Sequence, residues 1–143
     1  MTFSYDPVKA GIRAMLLANS FFTAIPIYPA HLSNILNPSF PCVTISHRSG
    51  GTEKHWLGKD TAYQIDVFTK GPDFDVTAIY LENDGLWTIY NQIEETINLK
   101  KMSNITTFLI KEIDVDDDLF EEDTRTWHLA SIYKIMYETK GVY

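Results

Sequence analysis

The acidic run from Asp114 to Asp123 is the first stretch whose residue types and spacing suggest chemistry. Asp114, Asp116 and Asp118 match the first three alternating ligands of an EF-hand calcium loop. The match stops there. Leu119 falls at the sixth position, where that loop needs Gly, and Arg125 falls at the twelfth, where it needs Glu. The run therefore reads as a solvated hairpin connection. Its carboxylates (Asp114, Asp116, Asp117, Asp118, Glu121 and Glu122 among them) discourage wrong edge pairing and suit contact with a basic partner.

The other reactive side chains support bland readings. His47 and His55 are expected to face each other across a hairpin, but two imidazoles without a third ligand make a poor zinc site. No HExxH or CxxC spacing occurs, and no metal or other cofactor is expected. Cys42 follows a Pro and opens a strand, an ordinary place for a small buried side chain. A nucleophile would want a base and a lowered pKa, which nothing in the sequence supplies. Glu94 and Glu95 sit on a helix, and acid–base work would need a second carboxylate brought in from elsewhere. Gly50-Gly51 lacks the Lys and hydroxyl of a phosphate loop and reads as a turn. No enzyme is expected.

The elements that must position these groups centre on the stretch from Thr61 to Lys100. Thr61 to Thr69 alternates, with Tyr63, Ile65 and Val67 on one face and Gln64 and Asp66 on the other, as in a half-buried strand. Lys70-Gly-Pro-Asp73 stops it, and Asp73 or Asp75 caps a helix. Val76, Ile79, Tyr80, Asn83, Trp87, Tyr90, Ile93 and Ile97 follow at steps of three and four. The apolar phase crosses Asn83-Asp84-Gly85, so a single helix with a kink is expected there.

Ahead of this unit, Asp6-Pro7 starts a helix that carries Val8, Ile12, Met15 and Leu16 on one side. Phe21 to Pro29 is apolar but broken by Pro26 and Pro29, which predicts an irregular or edge-strand segment. A strand over Cys42–His47 presents Val43 and Ile45 inward, and Arg48-Ser-Gly-Gly-Thr52 is the strongest hairpin signal. Arg48, Lys54, His55 and Trp56, at or near that hairpin's tip, are candidate subunit or partner contacts, because exposed tryptophans anchor interfaces. Strands over Thr107–Ile113 and Thr126–Glu138 complete the chain. The order α-β-β-α-β-β predicts one α+β domain over residues 1–143. Its sheet is antiparallel or mixed, of about four strands with a projecting hairpin, and packed by two helices.

The totals narrow the function. A net charge of −7 argues against a nucleic-acid-binding surface, which would need Lys and Arg on phosphates. One cysteine fits folding in a reducing compartment, and no secretory signal opens the chain. The apolar runs fall short of the ~20 residues that span a bilayer, so no membrane is expected.

In its order of elements the chain resembles the tail-completion or tail-terminator proteins of long-tailed bacteriophages. The resemblance is carried by the N-terminal helix, Phe40-Pro-Cys-Val-Thr-Ile45, the Gly-Gly hairpin and Tyr63-Gln-Ile-Asp-Val-Phe68. The long helix follows, and Asp123-Thr-Arg-Thr-Trp-His128 leads into the last strand. The resemblance implies a homohexameric ring with no cofactor and no catalysis, found in the virion at the head–tail joint and made in the host cytoplasm. Such a ring stacks on the tail-tube protein, stops tube growth and offers its other surface to the head connector or neck proteins, with DNA only passing through the lumen. It assigns no role to Phe21 to Pro41. Three other readings stand beside it: a different neck component such as a stopper or adaptor, an oligomeric ligand-binding module with a pocket near His47, His55 and Trp56, and, last, an enzyme.

Overall fold

The computed structural model describes residues 7–55, 58–70, 85–102, 107–121 and 125–137. Helix α1 (Pro7–Leu17) begins at the proline and buries Val8, Gly11, Ile12 and Leu16, the stripe that its spacing marks. Helix α2 (Leu86–Ile97) buries Leu86, Ile89, Tyr90, Ile93 and Ile97. Its N-cap is Gly85, with φ −69° and ψ 153°. That backbone is extended, so α2 starts afresh after Gly85, and the expected unbroken helix does not pass through it. The expected first half of that helix, up to Asp84, lies outside the described residues.

Six strands form one mixed sheet: β1 (Ile27–Tyr28), β2 (Cys42–His55), β3 (Gly58–Lys70), β4 (Thr107–Val115), β5 (Leu119–Glu121) and β6 (Thr126–Tyr137). The order is β1-β2-β3-β6-β4, with β5 pairing β6 beyond the end of β4. Only β1 runs parallel to its neighbour, with Ile27 opposite Val43. The α+β class therefore stands, with two α-helices among the described residues. The sheet has six strands where about four are expected, because the Pro-rich segment and the acidic run each contribute a short one.

The register places the hairpin turn elsewhere than expected. β2 continues past Gly50, which pairs with Thr61, to His55, which pairs with Gly58. Pairing therefore runs past the Gly-Gly pair as far as His55 and Gly58, and register shifts follow His47 and Gly50. Glycine serves here as the flexible residue of a bulge within a long two-stranded ribbon. His47 pairs with Tyr63 on the neighbouring strand, so His47 and His55 lie along one strand and do not face each other.

The core lies between the helices and one sheet face. Val43, Ile45, Tyr63, Ile65, Val67, Leu129, Tyr133 and Ile135 meet Val8, Ile12, Leu16, Ile89, Ile93 and Ile97 there. Asn19 locks the two helices: its amide donates to Thr96 Oγ1 at 2.9 Å and Gln92 Oε1 at 3.3 Å, while its Oδ1 accepts from the Phe21 amide. That capping bond turns the chain into a 3-10 helix over Ser20–Ala24, which drives Phe22 into the core. Arg13 Nε then donates to the Ile27 carbonyl at 2.9 Å and ties α1 to β1.

Candidate functional site

The second face of the sheet holds the groups that sequence patterning consigns to solvent. β3 alternation sends Gln64, Asp66 and Phe68 to this face, and His128 stands opposite Phe68 on β6. The segment after β1 crosses over them. His31, Leu32, Ile35, Pro38 and Phe40 form one wall of a cavity of about 960 Å³, with Asp66, Phe68, Glu121 and His128 among the groups opposite. Asn37 turns the segment at φ 53°, a left-handed backbone that asparagine tolerates better than most residues. Lys70 Nζ lies 5.1 Å from the centroid of the Phe40 ring, a cation–π contact that holds the wall to β3. Part of the segment without an expected role thus roofs a cavity.

Asp66 is 5% exposed and accepts three side-chain contacts: His128 Nε2 at 3.0 Å, Gln64 Nε2 at 2.8 Å and Thr44 Oγ1 at 3.4 Å. A buried carboxylate needs such partners, since removing the charge from water is costly. Arg48 Nη1 donates to Gln64 Oε1 at 2.7 Å and extends the chain to the exposed end of the network. The His128 ring stacks on Phe68 at 4.3 Å with planes 12° apart, and its Nδ1 lies 3.4 Å from Glu121 Oε1. Burial works against charge on the imidazole, but the hydrogen bond and charge of Asp66, then those of Glu121, outweigh it and raise its pKa.

A second polar cluster ties α2 to the sheet. Tyr133 Oη donates to Glu94 Oε1 at 2.6 Å, and Tyr90 Oη donates to Glu112 Oε2 at 2.5 Å. The Glu112 amide donates to Asn98 Oδ1, which fixes β4 beside the end of α2. The two tyrosine contacts bring the Glu94 carboxylate close enough to act on Glu112. Burial first, and the Glu94 contact second, push the Glu112 carboxyl up to about 7. Glu94 thus does acquire the second carboxylate that its sequence neighbours could not provide. Two tyrosine hydroxyls occupy the pair, and both are held well above their ordinary pKa by burial and these carboxylates.

The expected contact residues are dispersed. Arg48 is exposed beside Gln64, Lys54 pairs with Lys59 along the ribbon, His55 sits at its end, and Trp56 and Glu122 lie outside the described residues. The acidic run is only partly a solvated connection. Asp114, Asp116 and Asp117 are exposed, but Asp118 accepts from Trp87 Nε1 at 2.8 Å and Glu121 belongs to β5. Cys42 is fully buried and its thiol is pushed up to about 11 by that burial. The cavity also differs from the expected pocket: it gathers His31 and His128 but not His47. Among the described residues, no three His, Cys, Asp or Glu side chains are grouped to hold a metal ion, and no helix is long and apolar enough to cross a membrane.

Among the described residues the architecture is a mixed six-stranded sheet with two α-helices on one face and an open cavity on the other. No family model matches the chain. No curated protein matches it either. Solved structures do. A chain of a structure titled "Virion of native gene transfer agent (GTA) particle" superposes with a TM-score of 0.63 at 12% identity, over 94% of this chain and 99% of its own. A second solved chain gives a TM-score of 0.56 at 6% identity over 96% of this chain and 97% of its own. At these identities the likeness is one of fold.

Proposed function

We propose that the protein is a structural component of a phage-like virion. It forms a ring, hexameric in the closest-fitting reading, that caps the tail tube, ends its polymerisation and presents a surface to the head connector or neck proteins. The observation that carries this reading is the fold shared nearly end to end with a chain of the gene transfer agent virion. The resemblance of the sequence to tail-terminator proteins points the same way. A heterologous ring needs two different surfaces that close on each other. The chain offers two candidates at opposite ends of its sheet order: the distal part of β2, beyond its short pairing with β1, and the outer edge of β4. Strand addition at such edges is a common way for chains to associate. The exposed carboxylates Asp114, Asp116 and Asp117, with Arg48, Lys54 and His55 on the ribbon, are the proposed partner contacts, and Trp56 is proposed with them from its place in the sequence. A net charge of −7 also suits a lumen through which DNA passes without adhering. The role is non-catalytic, within one domain.

Deleting the gene from a particle-producing host tests the reading. Tails of uncontrolled length, with heads left unjoined, are the expected phenotype. Tails of normal length would exclude a terminator, and normal tails beside unjoined heads would move the protein to another place in the neck.

A further inference from the structure

The wall of the cavity contains an arrangement to which the proposed function assigns no role. His128 lies between two carboxylates that come from different strands, Asp66 on β3 and Glu121 on β5. We infer that these three residues form a pH-operated clasp, in which the imidazolium of His128 holds β5 against the sheet and its neutral form releases Glu121 and opens that side of the cavity.

The geometry supplies the mechanism. Nε2 faces Asp66 at 3.0 Å and Nδ1 faces Glu121 at 3.4 Å, so both contacts are attractive only when both ring nitrogens carry hydrogen. Loss of one proton leaves a lone pair against a carboxylate. Asp66, whose side chain is 7% exposed and also bound by Thr44 and Gln64, keeps the shorter bond. Glu121, 40% exposed at the longer contact, is the partner released. The other charged groups around the cavity are Lys70 and, when protonated, His31; Arg48 reaches the network through Gln64. β5 is the element suited to respond. It spans three residues, its Leu119 is 59% exposed, and it is secured by pairing to β6 and by Phe120 against Trp127 at 5.1 Å. Short elements with few buried contacts open before the rest of a domain.

The direction in pH follows from linkage. Glu121 raises the His128 pKa in the closed form above its value in the open form, where Asp66 alone remains beside the ring. The clasp is therefore fully stabilised below the open-form value, and this is lost as pH rises through the closed-form value. Two readouts on the full chain test the clasp: titration of the His128 side-chain nitrogens by NMR, and amide exchange at Leu119–Glu121, corrected for intrinsic rates. The clasp predicts one shared midpoint above 6.5. It also predicts a fall in protection of about tenfold for each unit between the closed-form and open-form values. In Glu121→Gln the midpoint should drop and the step in protection disappear, while His128→Gln should give protection independent of pH. A midpoint at or below 6.5 would overturn the clasp. So would flat protection across the titration in the native chain, or a Glu121→Gln profile identical to the native one.

Discussion

The Tyr133 hydroxyl, on the central strand β6, donates to Glu94 on α2 at 2.6 Å and ties helix to sheet through a largely apolar interface. A hydrogen bond to a charged group contributes about 1.5–3 kcal/mol. Tyr133→Phe keeps the ring and removes the donor, so it should destabilise the fold by that amount, read as a lower urea midpoint with an unchanged slope. A changed slope would mean that the mutation had altered the compactness of a state instead.

The raised pKa of Glu112 gives stability a pH dependence. Glu112 titrates near 7 in the folded chain against an ordinary value of 4.5. A raised carboxyl contributes stability that is fully present below 4.5 and is lost as pH rises through about 7. The melting temperature should therefore fall across that window, and Glu112→Gln should flatten the fall. His128 acts in the same direction, but its share begins only above 6.5. The lower part of the window therefore belongs to Glu112.

Packing should separate two apolar positions sharply. Ile93 is fully buried between α2 and the sheet, whereas Leu36 is 89% exposed in the segment that roofs the cavity. Ile93→Ala should cost about 2–5 kcal/mol through lost burial and the cavity that remains. Leu36→Ser should stay within about 0.5 kcal/mol of the native protein. Chemical denaturation of both variants checks the pair.

Much of this architecture is legible from local pattern, and the misses have a common cause. Alternation at Tyr63, Ile65 and Val67 finds the core face of β3, and helical spacing finds the buried stripe of α1, because each element reports its own burial. Asp66 defeats the same logic. Its position on the other face implies solvent unless something covers that face, and the cover comes from residues 31–40, more than twenty positions away. Glu112 is hidden for a similar reason, since only the tertiary fold brings β4 beside Glu94. Gly50-Gly51 misleads by its strength: paired glycines permit a turn, but they equally permit a bulge when the flanking residues continue to pair. The extended backbone at Gly85 has its signal in the turn-prone sequence Asn83-Asp84-Gly85, but the apolar phase that continues past it predicts one helix.

Cys42 should be inert in the folded protein. With its thiol at about 11 and no exposed surface, a thiol reagent at neutral pH should modify it only after denaturant is added. Rapid labelling under native conditions would show that the wall beside β2 opens readily.

The most direct test of the virion role is electron microscopy of purified protein mixed with tail-tube protein polymerised from the same genome. The account predicts ring-shaped density at one end of each tube and no further growth from that end when tube subunits are added. Tubes that carry no density and elongate from both ends as freely as without the protein would contradict it.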